Sequence, residues 1–244
     1  MPRRSDVAVA QRFLASARLE RHRHGLGYAA VVVAGSYVEA GDSGRFRLSA
    51  GSVVFHRPFE AHADQFGAAG ADVLNLPLPV DAPEVPVAVL RNLDAVVRTA
   101  ERDRLAASSL LSASCVAATE GPGDWPDLLA AALRANPSLC LTEWADATGL
   151  TAETVARGFK RAYGVSPKRY RADARALRAW RTLPGSPLPL AQLALNLGFA
   201  DQAHMTRDVV ALTGRTPASL RRTPGPEGQL DSRRLGRERL FGEE

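Results

Sequence analysis

Four of the five histidines in this 244-residue chain fall between positions 22 and 62: His22, His24, His56 and His62. The spacing His22-x-His24 puts both imidazoles on one face if the segment is a strand, because successive strand side chains alternate. Converging neutral imidazoles are donors for Zn, Fe, Ni or Cu. A divalent metal is one cofactor these residues could hold, and the sequence leaves the cofactor open. The same rings also suit a metal-free pocket, as hydrogen-bonding groups facing a small-molecule effector or as polar groups of the core. Tyr28 and Tyr37 are placed to line that cavity, and Glu39 is the nearest carboxylate, one strand later. Cys115 and Cys140 make neither a metal-ligand spacing nor a disulfide framework, which points to a reducing cytoplasm.

Short strands are expected to hold the histidines. Apolar or alternating runs at 28–34, 45–48, 53–56 and 72–78 are separated by Gly-rich turns, the pattern of a small antiparallel barrel or sandwich. Prolines 77, 79, 83 and 86 end that pattern. Residues 87–119 then read as helical, with Leu90, Leu93 and Val97 at three- and four-residue steps. Gly121-Pro122-Gly123 reads as a linker. From Trp125 onward every segment reads as helix. The tail from 224 is rich in Gly, Pro and charge and is expected to be disordered.

The second half contains a repeat. Residues 156–167 recur as 206–217, with Arg, a large apolar residue, Gly, a hydroxyl residue and Pro in register. Upstream of each copy stands Ala-x-x-x-Gly, Ala145 to Gly149 and Ala194 to Gly198. A Gly turn between two short amphipathic helices is the sequence form of a helix-turn-helix, here twice. Charge agrees: residues 141–222 hold 13 Lys/Arg against 6 Asp/Glu, in a chain of net charge +5. That is the electrostatic footprint of a phosphate-binding surface. No apolar run is long enough for a membrane span.

Periodicity divides the two reading helices. In the first, Ala152, Val155, Phe159 and Ala162 face the core, while Glu153, Arg157, Lys160 and Arg161 face outward. Arg157 is the first choice for a base contact, since a guanidinium bonds guanine O6 and N7 together. Glu153 either accepts from a cytosine amino group or holds Arg157 in place. Thr151, an N-cap, and Thr154 suit phosphate, base or backbone. Lys160, Arg161, Lys168 and Arg169 suit phosphates. In the second, Met205, Val209 and Leu212 form the buried stripe, and Gln202, Ala203, Thr206 and Arg207 turn outward. Gln202 suits adenine; His204 is read as structural or a phosphate donor ahead of a base reader; Asp201 is the N-cap. Between the motifs, Tyr170, Ala174, Leu177 and Trp180 make the stripe of a long helix that starts at Ser166-Pro167.

Ala194-x-x-x-Gly198-Phe199-x-Asp201-x-Ala203-His204-Met205-x-Arg207, followed by Gly214-x-Thr216-Pro217-x-x-x-Arg221, resembles the signature of the AraC/XylS transcription regulators. Gly164-Val165-Ser166-Pro167-Lys168-Arg169-Tyr170 is similar to that family's inter-motif helix. The resemblance implies two helix-turn-helix units joined by one long helix, with reading helices in adjacent major-groove segments about 34 Å apart. It also implies a homodimer and RNA polymerase as a further partner. The chain departs from the pattern at Val209-Val210, where an aromatic and a basic residue usually stand; both valines are expected to fill core volume. Residues 51–62, from Gly51 through Pro58 to His62, resemble the second cupin motif, and His22-Arg23-His24 the first. The carboxylate expected after the second His is absent, with Tyr28-Ala29 in its place.

These readings combine into an α+β chain of two domains. Residues 1–83 form a cupin-like antiparallel β-barrel that senses a ligand, and 84–122 a helical linker or dimerisation segment. Residues 123–223 form an all-α domain with two helix-turn-helix motifs joined by a long helix, and 224–244 a tail. The function expected is a sequence-specific regulator on double-stranded DNA, modulated by a small molecule or metal, with no chemistry required. The alternatives are a metal-dependent cupin enzyme tethered to DNA and an effector-independent DNA-binding protein.

Overall fold

The computed structural model describes residues 10–118, 123–136 and 138–222. The linker at Gly121-Pro122 and the tail from 224 lie outside them. Eight strands form one antiparallel sheet: β1 (Ala10–Phe13), β2 (Arg18–Arg23), β3 (Tyr28–Gly41), β4 (Arg45–Ser49), β5 (Ser52–His56), β6 (Ala61–Pro77), β7 (Val87–Leu90) and β8 (Cys115–Ala117). The two long strands, β3 and β6, run side by side through the whole sheet. Near His62 they are flanked by β2 and β4; toward their other ends they are flanked by β1 and β5.

The register of β3 on β6 slips between Val32 and Ala34 and again between Gly35 and Tyr37. Such bulges bend a strand and increase its twist. As a result Tyr37, Leu48 and Phe66 from one half of the sheet share a core with Val32, Val54 and Val73 from the other. The antiparallel sheet of eight strands curves around this interior. Alternation sends Ala29, Val31, Val53 and Phe55 to the other face. There they pack under α1 (Leu93–Ala100) and α2 (Arg104–Ser114), against Val96, Ala107 and Leu111.

The sequence reading of 87–119 as continuous helical texture is corrected here. Its ends are strands: β7 pairs with β5 and β8 with β7. A four-residue apolar run such as 87–90 cannot be assigned by periodicity, and a waiting sheet edge decides it. The helices between are started separately by Asn92, whose side chain accepts from Ala95 N, and Asp103, which accepts from Leu105 N and Ala106 N. Both lie on the barrel.

The remaining helices are α3 (Trp125–Ala135), α4 (Leu141–Ala147), α5 (Ala152–Tyr163), α6 (Pro167–Thr182), α7 (Leu190–Asn196), α8 (Gln202–Thr213) and α9 (Pro217–Arg221). The chain divides into two compact units, residues 1–171 and 172–244. The barrel, α3, α4 and α5 belong to the first, and α7 to α9 to the second. In the first unit, Leu129, Leu133, Val155, Phe159, Tyr163 and Tyr170 form one core. Among the described residues no helix is long and apolar enough to cross a membrane.

Candidate nucleic-acid interface and histidine site

Each motif turns at a glycine in the left-handed region, Gly149 at φ 68° and Gly198 at φ 80°. A Cβ is disfavoured at such angles, which is why Gly recurs in both motifs. The turns close alike: Leu150 N donates to Ala145 O at 2.9 Å, and Phe199 N to Ala194 O at 3.0 Å. The buried Ala145 and Ala194 leave room for the second helix of each motif. Thr151 caps α5 by accepting from Thr154 N at 3.1 Å, and Asp201 caps α8 by accepting from His204 N at 2.6 Å.

On α5, Val155, Phe159 and Tyr163 are buried, and Ala162 is half-buried against them. Ala152 is exposed rather than inward, since it stands one turn ahead of the packed stripe. Glu153, Arg157, Lys160 and Arg161 are all exposed, as are Lys168 and Arg169 at the start of α6. Glu153 Oε1 lies 3.3 Å from Arg157 Nη1, with both side chains about three-quarters exposed. A screened pair of this kind adds little stability, but it aims the guanidinium away from the core. The Thr151 and Thr154 hydroxyls bond each other at 2.9 Å, so both take part in the cap.

On α8, Gln202, Ala203 and Arg207 are exposed. The Thr206 hydroxyl donates back to Gln202 O at 2.9 Å. His204 is held on three sides. Its Nδ1 accepts from Ala200 N at 3.4 Å, its Nε2 is 3.4 Å from Asp208 Oδ2, and its ring meets Phe199 edge-on. These contacts favour its structural role. Asp208 was missed in the sequence, although the i,i+4 spacing from His204 signals the pair. Val209 is fully buried but Val210 is 38% exposed. Only one of the two valines therefore fills core volume, and Val210 stands outward. In α6, Ala174 is half-exposed and the stripe instead runs through Tyr170, Asp173, Leu177 and Trp180.

The barrel brings the four early histidines together. His22 and His62 are cross-strand partners on β2 and β6, with ring centroids 4.3 Å apart. His24 lies 5.1 Å from His22 and 5.7 Å from His62, and His56 lies 4.2 Å from His62. Tyr28 stacks on His56 at 4.4 Å, and its hydroxyl is 3.4 Å from His62 Nε2. Glu39 is 2% exposed, with Oε2 3.5 Å from His56 Nε2. Tyr37 is buried nearby, tilted against Phe66. Asp64, two residues after His62 and so on the same strand face, puts Oδ2 4.0 Å from His62 Nε2. The sequence reading missed Asp64; the alternation His62-x-Asp64 was its signal.

Burial keeps the imidazoles of His24, His56 and His62 neutral. It pushes His24 down to about 4 and His56 to about 3, and holds His62 well below the ordinary histidine value, each aided by neighbouring histidines. Burial also raises Glu39 well above a normal carboxyl and Asp64 to about 7. Neutral imidazole is the ligating form. Ligand atoms of His22, His24 and His62 all lie within 4.8 Å of one another. His22 Nδ1 is 2.8 Å from Glu20 O and donates to it, which fixes the tautomer and leaves Nε2 with a free lone pair. His24 Nδ1, His62 Nδ1 and Asp64 Oδ1 are buried without a hydrogen-bond partner among the described residues. Two buried imidazole nitrogens and one buried carboxylate oxygen without partners fit a divalent transition-metal ion.

One consequence concerns stability. Asp64 ionises near 3.8 when unfolded and near 7 when folded. Its penalty on the metal-free fold is absent below about pH 4, grows up to about pH 7 and is complete above that. Asp64→Asn should therefore raise the Tm of the metal-free protein at pH 8 by several degrees and leave it unchanged at pH 4. Equal shifts at both pH values, read by calorimetry, would contradict the burial of an ionising carboxyl here.

Residues 144–223 match the family model of a helix-turn-helix domain. No curated protein matches the chain. Among solved structures, the C-terminal domain of AraT, a response regulator from Geobacillus stearothermophilus, is similar over 41% of this chain and 85% of its own, at 19% identity and TM-score 0.38. A probable AraC family transcriptional regulator from Rhodopseudomonas palustris CGA009 is similar over 38% and 90%, at 23% identity and TM-score 0.36. Unsaturated fatty acid bound wild-type ToxT from Vibrio cholerae strain SCE256 is similar over 86% and 92%, at 9% identity and TM-score 0.39. Scores below 0.5 leave the assignment on the match at 144–223, which spans both repeated motifs. With its paired Gly turns, its capped second helices and that match, the segment 144–223 is a helix-turn-helix domain.

Proposed function

We propose that this protein is a sequence-specific transcription regulator that reads two adjacent major-groove segments of double-stranded DNA and is modulated by a ligand in its barrel. The observation that carries the DNA reading is the outward row Glu153, Arg157, Lys160 and Arg161 on a helix whose other side is core. Arg157 and Gln202 present bidentate groups to base edges; Lys160, Arg161, Lys168 and Arg169 present charge to phosphates. Arg207 occupies the repeat position of Arg157.

For the barrel ligand, a divalent transition-metal ion is favoured over an organic effector. Ligand atoms of His22, His24 and His62 lie within 4.8 Å of one another, a separation one ion can bridge. His22, His24 and His62 would hold it, with Asp64 and Glu39 supplying counter-charge. The ion would bring the positive charge that two buried carboxyls otherwise lack. Selection of bound fragments from a random DNA pool tests the main reading. A shared bipartite sequence supports it, and fragments with no shared sequence overturn it.

A further inference from the structure

The histidine site and the first DNA-reading motif occupy opposite faces of the same four strands. The strands lie in the order β2, β6, β3, β4. Facing inward are His22, His62, Asp64 and Glu39. Their immediate neighbours in sequence, Arg21, Ala63 and Ala40, face outward, as strand alternation requires. Ala40 and Ala63 are themselves cross-strand partners, as are Glu39 and Asp64, and Gly41 and His62.

On the outer face these neighbours seat the motif. Ala40 is part of the core formed by Val155, Phe159, Tyr163 and Tyr170. A Cβ placed on Gly164, the residue that ends α5, would lie 3.6 Å from Arg21 Cβ and 3.7 Å from Ala63 Cβ. That is van der Waals contact with β2 and β6, at a φ of 74° that strains any L side chain. Two polar clasps complete the seat. Arg45, on β4, bonds Asp127 at 3.0 and 2.9 Å, and Asp127 Oδ1 accepts from the Tyr163 hydroxyl at 2.8 Å. The Tyr170 hydroxyl reaches Gly41 O at 3.2 Å and Asp42 O at 3.3 Å and accepts from Arg134 at 2.7 Å. Arg21 pairs with the buried Asp42 and lies over the Tyr170 ring, 5.6 Å from its centroid.

We infer that occupancy of the histidine site is transmitted to the first reading motif through this single layer of sheet, by way of the clasp Arg21–Asp42–Tyr170. His22 and His62 sit on different strands, and β2 slips register on β6 between Leu19 and His22. Closing the two rings on one ligand shifts β2 against β6, and Arg21 carries that shift to Tyr170 and to the end of α5. The second motif belongs to the other compact unit. The inference rests on the ligand and DNA readings above. Coupling is reciprocal, so the factor by which ligand changes DNA affinity is the factor by which DNA changes ligand affinity.

The test uses the full chain, Ni²⁺ as probe and a DNA fragment the protein has itself selected. In the wild type, saturating Ni²⁺ should change the DNA Kd by about 5-fold or more, the low end of allosteric coupling. Tyr170→Phe keeps the ring and removes the hydroxyl. It should bind Ni²⁺ with unchanged affinity by calorimetry but show a coupling factor near one. An unchanged coupling factor in Tyr170→Phe, or a Ni²⁺ effect confined to contacts of the second motif, overturns the inference. If Ni²⁺ does not bind the wild type, the metal reading fails by itself, and the layer is then judged by a double-mutant cycle in the ion-free protein. His62→Gln should alter amide exchange across the end of α5 in the wild type and not in Tyr170→Phe. Equal effects in both backgrounds overturn it.

Discussion

Arg157→Ala is expected to weaken binding to the selected DNA by about 1–3 kcal/mol, roughly 5- to 150-fold, while binding to unrelated DNA changes little. The reason is geometric. Arg157 is three-quarters exposed, paired with Glu153, and set one turn along from it on the side of α5 opposite Phe159. Its removal leaves the helix intact and deletes a bidentate donor. Lys160→Ala is the contrast, because a phosphate contact carries no sequence information. It should weaken all sequences alike and reduce the salt slope by about one. Competition titrations at several salt concentrations separate the two. If Arg157→Ala lowered affinity uniformly, Arg157 would be a phosphate contact and the base reader would lie elsewhere on α5.

His22→Ala combined with His62→Ala is expected to abolish metal retention. The purified wild type should hold about one divalent transition-metal ion per chain by elemental analysis, and the variant essentially none. These two rings are the cross-strand pair of the site, one anchored by Glu20 O and the other carrying an orphaned Nδ1. An ion present at 100 times its Kd stabilises a protein by about 2.7 kcal/mol. The wild type should therefore gain several degrees of Tm on loading, and the variant none. A wild type free of metal, with no rise in Tm on titration, would leave the histidines as pocket lining and turn the search to organic effectors.

The helical half was legible because its signals are local. Gly149, Gly198, Thr151 and Asp201 each act within a few residues, and each sits in the role its type implies. The errors there arise at edges: Ala152 precedes the packed stripe, and Val210 lies one step outside it. The barrel was less legible because its decisive contacts are distant in sequence. Nothing near residues 87–90 announces β5 as a partner, and nothing near Tyr170 announces Gly41. Histidine type and spacing marked the site, and Glu39 was named with it, but its second carboxylate, Asp64, was hidden in an ordinary alternating strand. The seat of the first motif on the barrel could not be read at all, since Arg21, Ala40 and Ala63 acquire that role only when three strands align.

The claim most in need of testing is that both reading helices contact DNA. A footprint of the full chain on its selected fragment addresses it directly. The account expects two protected segments about one helical turn apart. Arg157→Ala should lose protection in one and Arg207→Ala in the other. A single protected segment, or loss of the same segment in both variants, would contradict it.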